Sequence, residues 1–206
     1  MTKHTRKLIN ISLALAMSAC LIISMTGFTN SCDDMYQNII RIRVIANSDS
    51  DIDQSVKLKV RDSILSYSKE LFNKATTYDD AVLIAKGNVQ DINQNALQTL
   101  LQNGLEYSVT TEIRQEYFDT RKYDEFSLPA GSYETLVVTL GEGKGENWWC
   151  VMYPPLCFSE LSTESNKKEM KKVLSETEYE LVTSDTPKVL IKFKTVELWN
   201  KFKKMF

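Results

Sequence analysis

The chain has 206 residues, a formal net charge of −2, 43% hydrophobic and 25% charged residues. That balance describes an ordinary globular protein and gives no bulk electrostatic case for nucleic acid. The one histidine is His4, so the body of the chain has no imidazole. This excludes Ser-His-Asp and Cys-His catalysis, His-Glu-x-x-His zinc hydrolases and imidazole acid–base chemistry.

The first residues read as an export segment. Lys3, His4, Arg6 and Lys7 form a positive flank, and from Leu8 to Met25 the chain carries no charge. Residues 1–34 are therefore expected to be a signal peptide or a membrane anchor. The apolar run approaches the ~20 residues that span a bilayer, so a retained anchor competes with a cleaved signal. The basic flank would keep the N-terminus inside and send the rest outside. Lipidation at Cys20 is a third fate, disfavoured because Leu21-Ile22-Ile23 prolong the apolar run. Residues 35–206 are expected to form a single globular domain.

Ile40, Ile42, Val44 and Ala46 alternate with Arg41 and Arg43, the pattern of a strand with one buried side. Asn47 to Asp53 then sets three aspartates at alternate positions. An EF-hand beginning at Asp49 would need Gly where Gln54 stands and Glu where Val60 stands, so a calcium loop does not fit. Ser50 and Asp53 instead fit a helix cap, with acids near the positive end of the helix dipole. The helix they open carries Val56, Val60, Ile64, Tyr67 and Leu71 on one stripe. A second long helix is expected from Thr77, with Val82, Ala85, Val89, Ile92 and Ala96 inward and Asn103-Gly104 at its end.

Leu105 to Tyr117 alternates as a strand. The connection that follows contains Asp124-Glu125, which reads as a solvated loop more readily than as paired catalytic carboxylates. Tyr133 to Leu140 is β-branched and apolar, Gly141, Gly143 and Gly145 permit a reversal, and Asn147 to Tyr153 returns as an aromatic strand stopped by Pro154-Pro155. This reads as a central Gly-rich hairpin. The Gly143-Lys144 pair is no phosphate loop, since Val138 and Gly145 stand where Gly and Ser or Thr are required. Cys150 and Cys157 enclose six residues, and in an oxidising compartment they are expected to form a disulfide; two free thiols and half of a zinc site are the rivals. Beyond them come a short helix over 167–174, strands at Tyr179–Val182 and Val189–Phe193, and a C-terminal helix from Val196 to Phe206 with lysines on its outer side. The expected fold class is α+β: a mixed or antiparallel sheet, two long helices on one face, the Gly-rich hairpin and the C-terminal helix.

Two blocks carry a resemblance. One is Ile42-Arg-Val-Ile-Ala-Asn-Ser-Asp-Ser-Asp51 with Leu58-Lys-Val-Arg-Asp62. The other is Leu128-Pro-Ala-Gly-Ser-Tyr-Glu134, Leu140-Gly-Glu-Gly-Lys-Gly-Glu-Asn-Trp-Trp-Cys150 and Pro154-Pro-Leu-Cys-Phe158. With these the chain resembles the stage II sporulation protein R family of endospore-forming bacteria. The resemblance implies a protein made in the forespore, exported to the space between the two sporulation membranes, and acting by contact. Its implied partner is a membrane-embedded aspartic peptidase that processes pro-sigma-E, with no cofactor, metal, small-molecule substrate or nucleic acid. No catalytic residues are carried over. Aromatic anchors dominate interfaces, so Trp148, Trp149, Tyr153, Pro154 and Pro155 are the expected partner-binding residues, with the two tryptophans on opposite faces of their strand. A His-independent exported hydrolase and a structural envelope protein are the competing readings.

Overall fold

The computed structural model describes residues 3–123, 126–156, 163–184 and 193–198, the side chains of 3, 4, 8, 21–31, 33, 34 and 163–165 excepted. The chain divides into two compact units, Met1–Asp34 and Met35–Phe206. The first is helical: α1 runs Lys3–Tyr36, its last two residues belonging to the second unit. Ile9, Ile11, Leu13, Leu15 and Met17 are all exposed on it. Those positions fall on more than one side of a helix, so residues 9–17 show no single apolar stripe. Among the described residues no helix is long and apolar enough to cross a membrane.

The second unit is α+β. In chain order it contains β1 (Ile40–Ile45), α2 (Asp51–Phe72), α3 (Tyr78–Gly87), α4 (Val89–Gln102), β2 (Val109–Phe118), β3 (Arg121–Lys122), β4 (Ser127–Leu128), β5 (Gly131–Leu140), β6 (Asn147–Tyr153), α5 (Thr163–Val173) and α6 (Glu176–Thr183). A four-stranded mixed sheet has the order β2-β5-β1-β6, and β3 and β4 form a separate two-stranded pair. β1 runs parallel to β5 and antiparallel to β6, while β2 is antiparallel to β5.

The pleat sends Ile40, Ile42 and Val44 to one face with Leu136, Val138 and Leu140, where α2, α3 and α4 cover them through Val56, Val60, Ile64, Ala85, Ile92 and Ala96. The opposite face carries a second core: Met35, Ile39, Phe118, Phe126, Leu128, Tyr133, Val151, Met170, Leu174 and Val182. Tyr36 is fastened to it, its hydroxyl donating to the Ala130 carbonyl at 2.7 Å. Gly131 makes room for that ring, since a Cβ there would lie 2.4 Å from the Tyr36 Cζ.

Several expectations are corrected. β5 and β6 are no hairpin, because β1 lies between them. The Gly-rich turn is long enough to pass over the end of β1, and its N–H groups bond to the chain leaving β1: Gly145 to the Ala46 carbonyl at 3.0 Å, Lys144 to that of Asn47 at 3.1 Å. The second long helix is two, α3 and α4, meeting at Asn88 just after Gly87, where the amide of Asn88 turns back onto the Ile84 carbonyl at 2.7 Å. Tyr179–Val182 is helical within α6, nucleated by the reciprocal Ser175–Glu178 cap. β1 is not buried on one side only, because Arg41, expected to face solvent, is completely buried. Residues 193–198 are helical. The rest of the expected strand at 189–193 and of the helix at 196–206 lies outside the described residues.

Candidate partner-binding surface

Two loops at one end of the sheet position the surface. The segment leaving β1 folds onto the N-terminus of α2: Ser50 caps it, accepting from the Asp53 N–H at 3.2 Å. The Asp53 carboxylate does not return to the Ser50 N–H, as a full capping box would. It instead accepts from the Ser48 hydroxyl at 2.6 Å and the Asn47 amide at 2.9 Å. Burial pushes this carboxyl up, but hydrogen bonds from Ser48, Asn47, Tyr107 and Ser50 outweigh it and hold the group below its ordinary value.

The Gly-rich turn locks into that loop. The Glu142 N–H donates to the Asn47 side-chain oxygen at 2.9 Å, and the Glu146 N–H donates to Asp49 at 2.7 Å. Lys57, buried on α2, donates to the Glu146 carbonyl at 3.0 Å. Two glycines are required by proximity: a Cβ on Gly141, whose φ is +56°, would lie 2.2 Å from the Asn47 Oδ1, and one on Gly145 would lie 2.2 Å from the Ser48 carbonyl oxygen. The two sequence blocks, distant along the chain, are halves of one interlocked joint.

β6 leaves this joint at one end of the sheet as described. Trp148 pairs with Val44 and Trp149 with Arg43, so they project to opposite faces. Both are half-buried. The Arg61 guanidinium of α2 sits 4.9 Å from the Trp148 ring, and Arg121 of β3 sits 4.4 Å from that of Trp149. Each tryptophan is thus a partly exposed plane under a cation, in a strand with no charged residue of its own. Tyr153 and Pro154 are buried, Tyr153 against Phe72 at 5.8 Å between ring centroids, while Pro155 is half-buried. The structure therefore separates the five nominated residues into Trp148, Trp149 and Pro155 at the surface and Tyr153 and Pro154 in the interior. The Tyr153–Pro154 peptide is cis.

Cys150 is buried and does not stand as a free thiol, whereas the exposed Cys20 does. Cys157 and the Asp124-Glu125 pair lie outside the described residues. Two ion pairs lie on the sheet: Glu134 pairs with Lys86 at 2.9 Å and accepts from Gln115, and Arg43 pairs with Glu116 at 3.0 Å. The arrangement offers aromatic planes and cations on a rigid joint, which suits recognition. Sequence reasoning missed Arg61 and Arg121; only their placement beside the tryptophans identifies them.

The stage II sporulation protein R family model matches residues 36–163. Over half of the chain lies within that match, from the first anchored tyrosine through β6, and the chain belongs to this family. The chain is also 35% identical over 147 residues to stage II sporulation protein R of Bacillus subtilis (strain 168), covering 66% of this chain and 66% of that relative. No solved structure matches it.

Proposed function

We propose that the chain is an exported sporulation signal that activates a membrane-embedded aspartic peptidase by contact, and so drives processing of pro-sigma-E. The observation that carries this reading is the family match, which spans the joint and both tryptophans. The cation-capped Trp148 and Trp149 on a rigid edge support contact as the means. A ligand shifts a receptor's equilibrium only by its differential affinity for the two states, so the surface must fit the active state better. Export is supported by the charge-free run after the basic flank and by the exposed apolar side chains of α1. We assign no catalytic residue, metal or cofactor. Cys150 and Cys157 form the disulfide in this reading, in keeping with Cys150 not being a free thiol; it would contribute about 2–3 kcal/mol.

The test is deletion in a sporulating host followed by a blot for processed sigma-E, with Trp148→Ala and Trp149→Ala restored singly. Processing should stop on deletion and fall sharply with at least one variant that still accumulates. Normal processing without the protein sinks the proposal. Labelling of both Cys150 and Cys157 without reductant would remove the disulfide.

A further inference from the structure

Arg41 is completely buried on the central strand β1. Its guanidinium carbon lies 3.8 Å from the centroid of Phe118 and 5.1 Å from that of Tyr133. Nη2 donates to the Tyr123 hydroxyl at 2.7 Å, while Nε and Nη1 have no acceptor among the described residues. Arg121, close enough to depress the Arg41 guanidinium further after burial itself, lies over Trp149. Among the described residues no carboxylate pairs with either cation. A buried charge without a counter-ion costs stability, and an apolar side chain of similar volume would avoid that cost. The positions most expensive to folding and unexplained by it are where function is retained.

We infer that Arg41, with Arg121 at its mouth, is a receptor for a carboxylate, the side chain of an acidic residue on the protein's partner. This rests on the contact-signal reading above and extends the surface from Trp149 inward. The cover over Arg41 is slight. Tyr123, half-buried and stacked on Phe126 at 4.6 Å, directly follows β3, whose pairing with β4 is only two residues long, and so short a pairing is marginal by itself. A carboxylate that takes the place of the Tyr123 hydroxyl gains charge-assisted hydrogen bonds from a guanidinium already desolvated and stacked between rings.

Two experiments test it. With the full-length chain in detergent and 15N-labelled arginine, sodium acetate is titrated against sodium chloride at equal ionic strength. The Arg41 Nε–H signal should shift saturably with acetate and not with chloride. No shift means that internal water satisfies the guanidinium, and the inference is overturned. In sporulating cells, Arg41→Met should accumulate at wild-type level, melt no lower than wild type, and lower sigma-E processing about tenfold or more, the worth of a charge-assisted hydrogen bond. An Arg41→Met chain that signals fully despite an acetate shift reduces the site to an adventitious anion only. Should that variant fail to accumulate, Arg121→Gln, which changes an exposed side chain, must give a smaller loss of processing, and full processing counts against the inference. If deletion itself leaves sigma-E maturation intact, the contact-signal reading fails, while the acetate arm still judges the site.

Discussion

Arg41 and Ile42 are neighbours on the same strand, both fully buried, and they face opposite ways. Ile42 enters a mainly aliphatic layer under three helices, with Phe72 and Tyr153 as its buried aromatic members. Arg41 enters an aromatic layer in which tyrosine hydroxyls are tied to backbone carbonyls: Tyr36 to Ala130, and Tyr133 to Pro129 at 2.7 Å. The first face is assembled by area removed from water, which is tolerant of shape. The second is assembled by directed contacts and close approaches, which are not. One sheet thus separates a layer that supplies stability from a layer that supplies specificity.

The sharpest way to break this contrast is truncation on the helix side. Ile42→Ala should cost about 2–5 kcal/mol in chemical denaturation, the range for a buried aliphatic that leaves a cavity. A much smaller loss would mean that the helices, not the sheet, carry the core. On the aromatic side Gly131→Ala forces the Tyr36 ring away and breaks its bond to Ala130. It should cost about 1–3 kcal/mol, and the double variant Gly131→Ala, Tyr36→Ala should show strong non-additivity. Additive losses would show that the ring and the glycine are independent.

At the joint, Asp53→Asn should cost about 1–2 kcal/mol near neutral pH. The sign follows from the depressed folded-state value: the stabilisation is fully present above the unfolded pKa near ~3.9 and disappears as pH falls through the lower folded value. The gap between wild type and variant should therefore be flat from pH 5 to 8 and close below pH 4, as followed by urea denaturation. A gap that widened in acid would reverse the assignment. Smallest of all, Ser50→Ala should cost about 1 kcal/mol, through loss of one cap on α2.

The helix-side layer was largely legible in the sequence, because periods of two and of 3.6 residues report which side chains share a face. α2 and the α+β class followed from that, with the sheet left as mixed or antiparallel, and the Ser50 cap followed from the serine-to-acid spacing ahead of α2. Periodicity does not say whether the other face is wet, so Arg41 read as a solvated residue like Arg43. Strand order was hidden for a related reason: Gly141 to Gly145 announces a reversal, and nothing local reveals that β1 will occupy the gap. Of the surface, the tryptophans and their opposite projection were readable from composition and pleat. Their capping arginines were not, since Arg61 and Arg121 reach them only through tertiary packing.

The placement of β1 between its two partners has a consequence for biogenesis. The first strand to leave the ribosome finds both of its neighbours only when β5 and β6 have been made, so the sheet cannot close until Tyr153 has been added. Non-local pairing of this kind is slow to form. A nascent chain with that wiring leaves β1 open on both edges while the helices and β2 are being made, and it closes into its working shape only after β6 has followed.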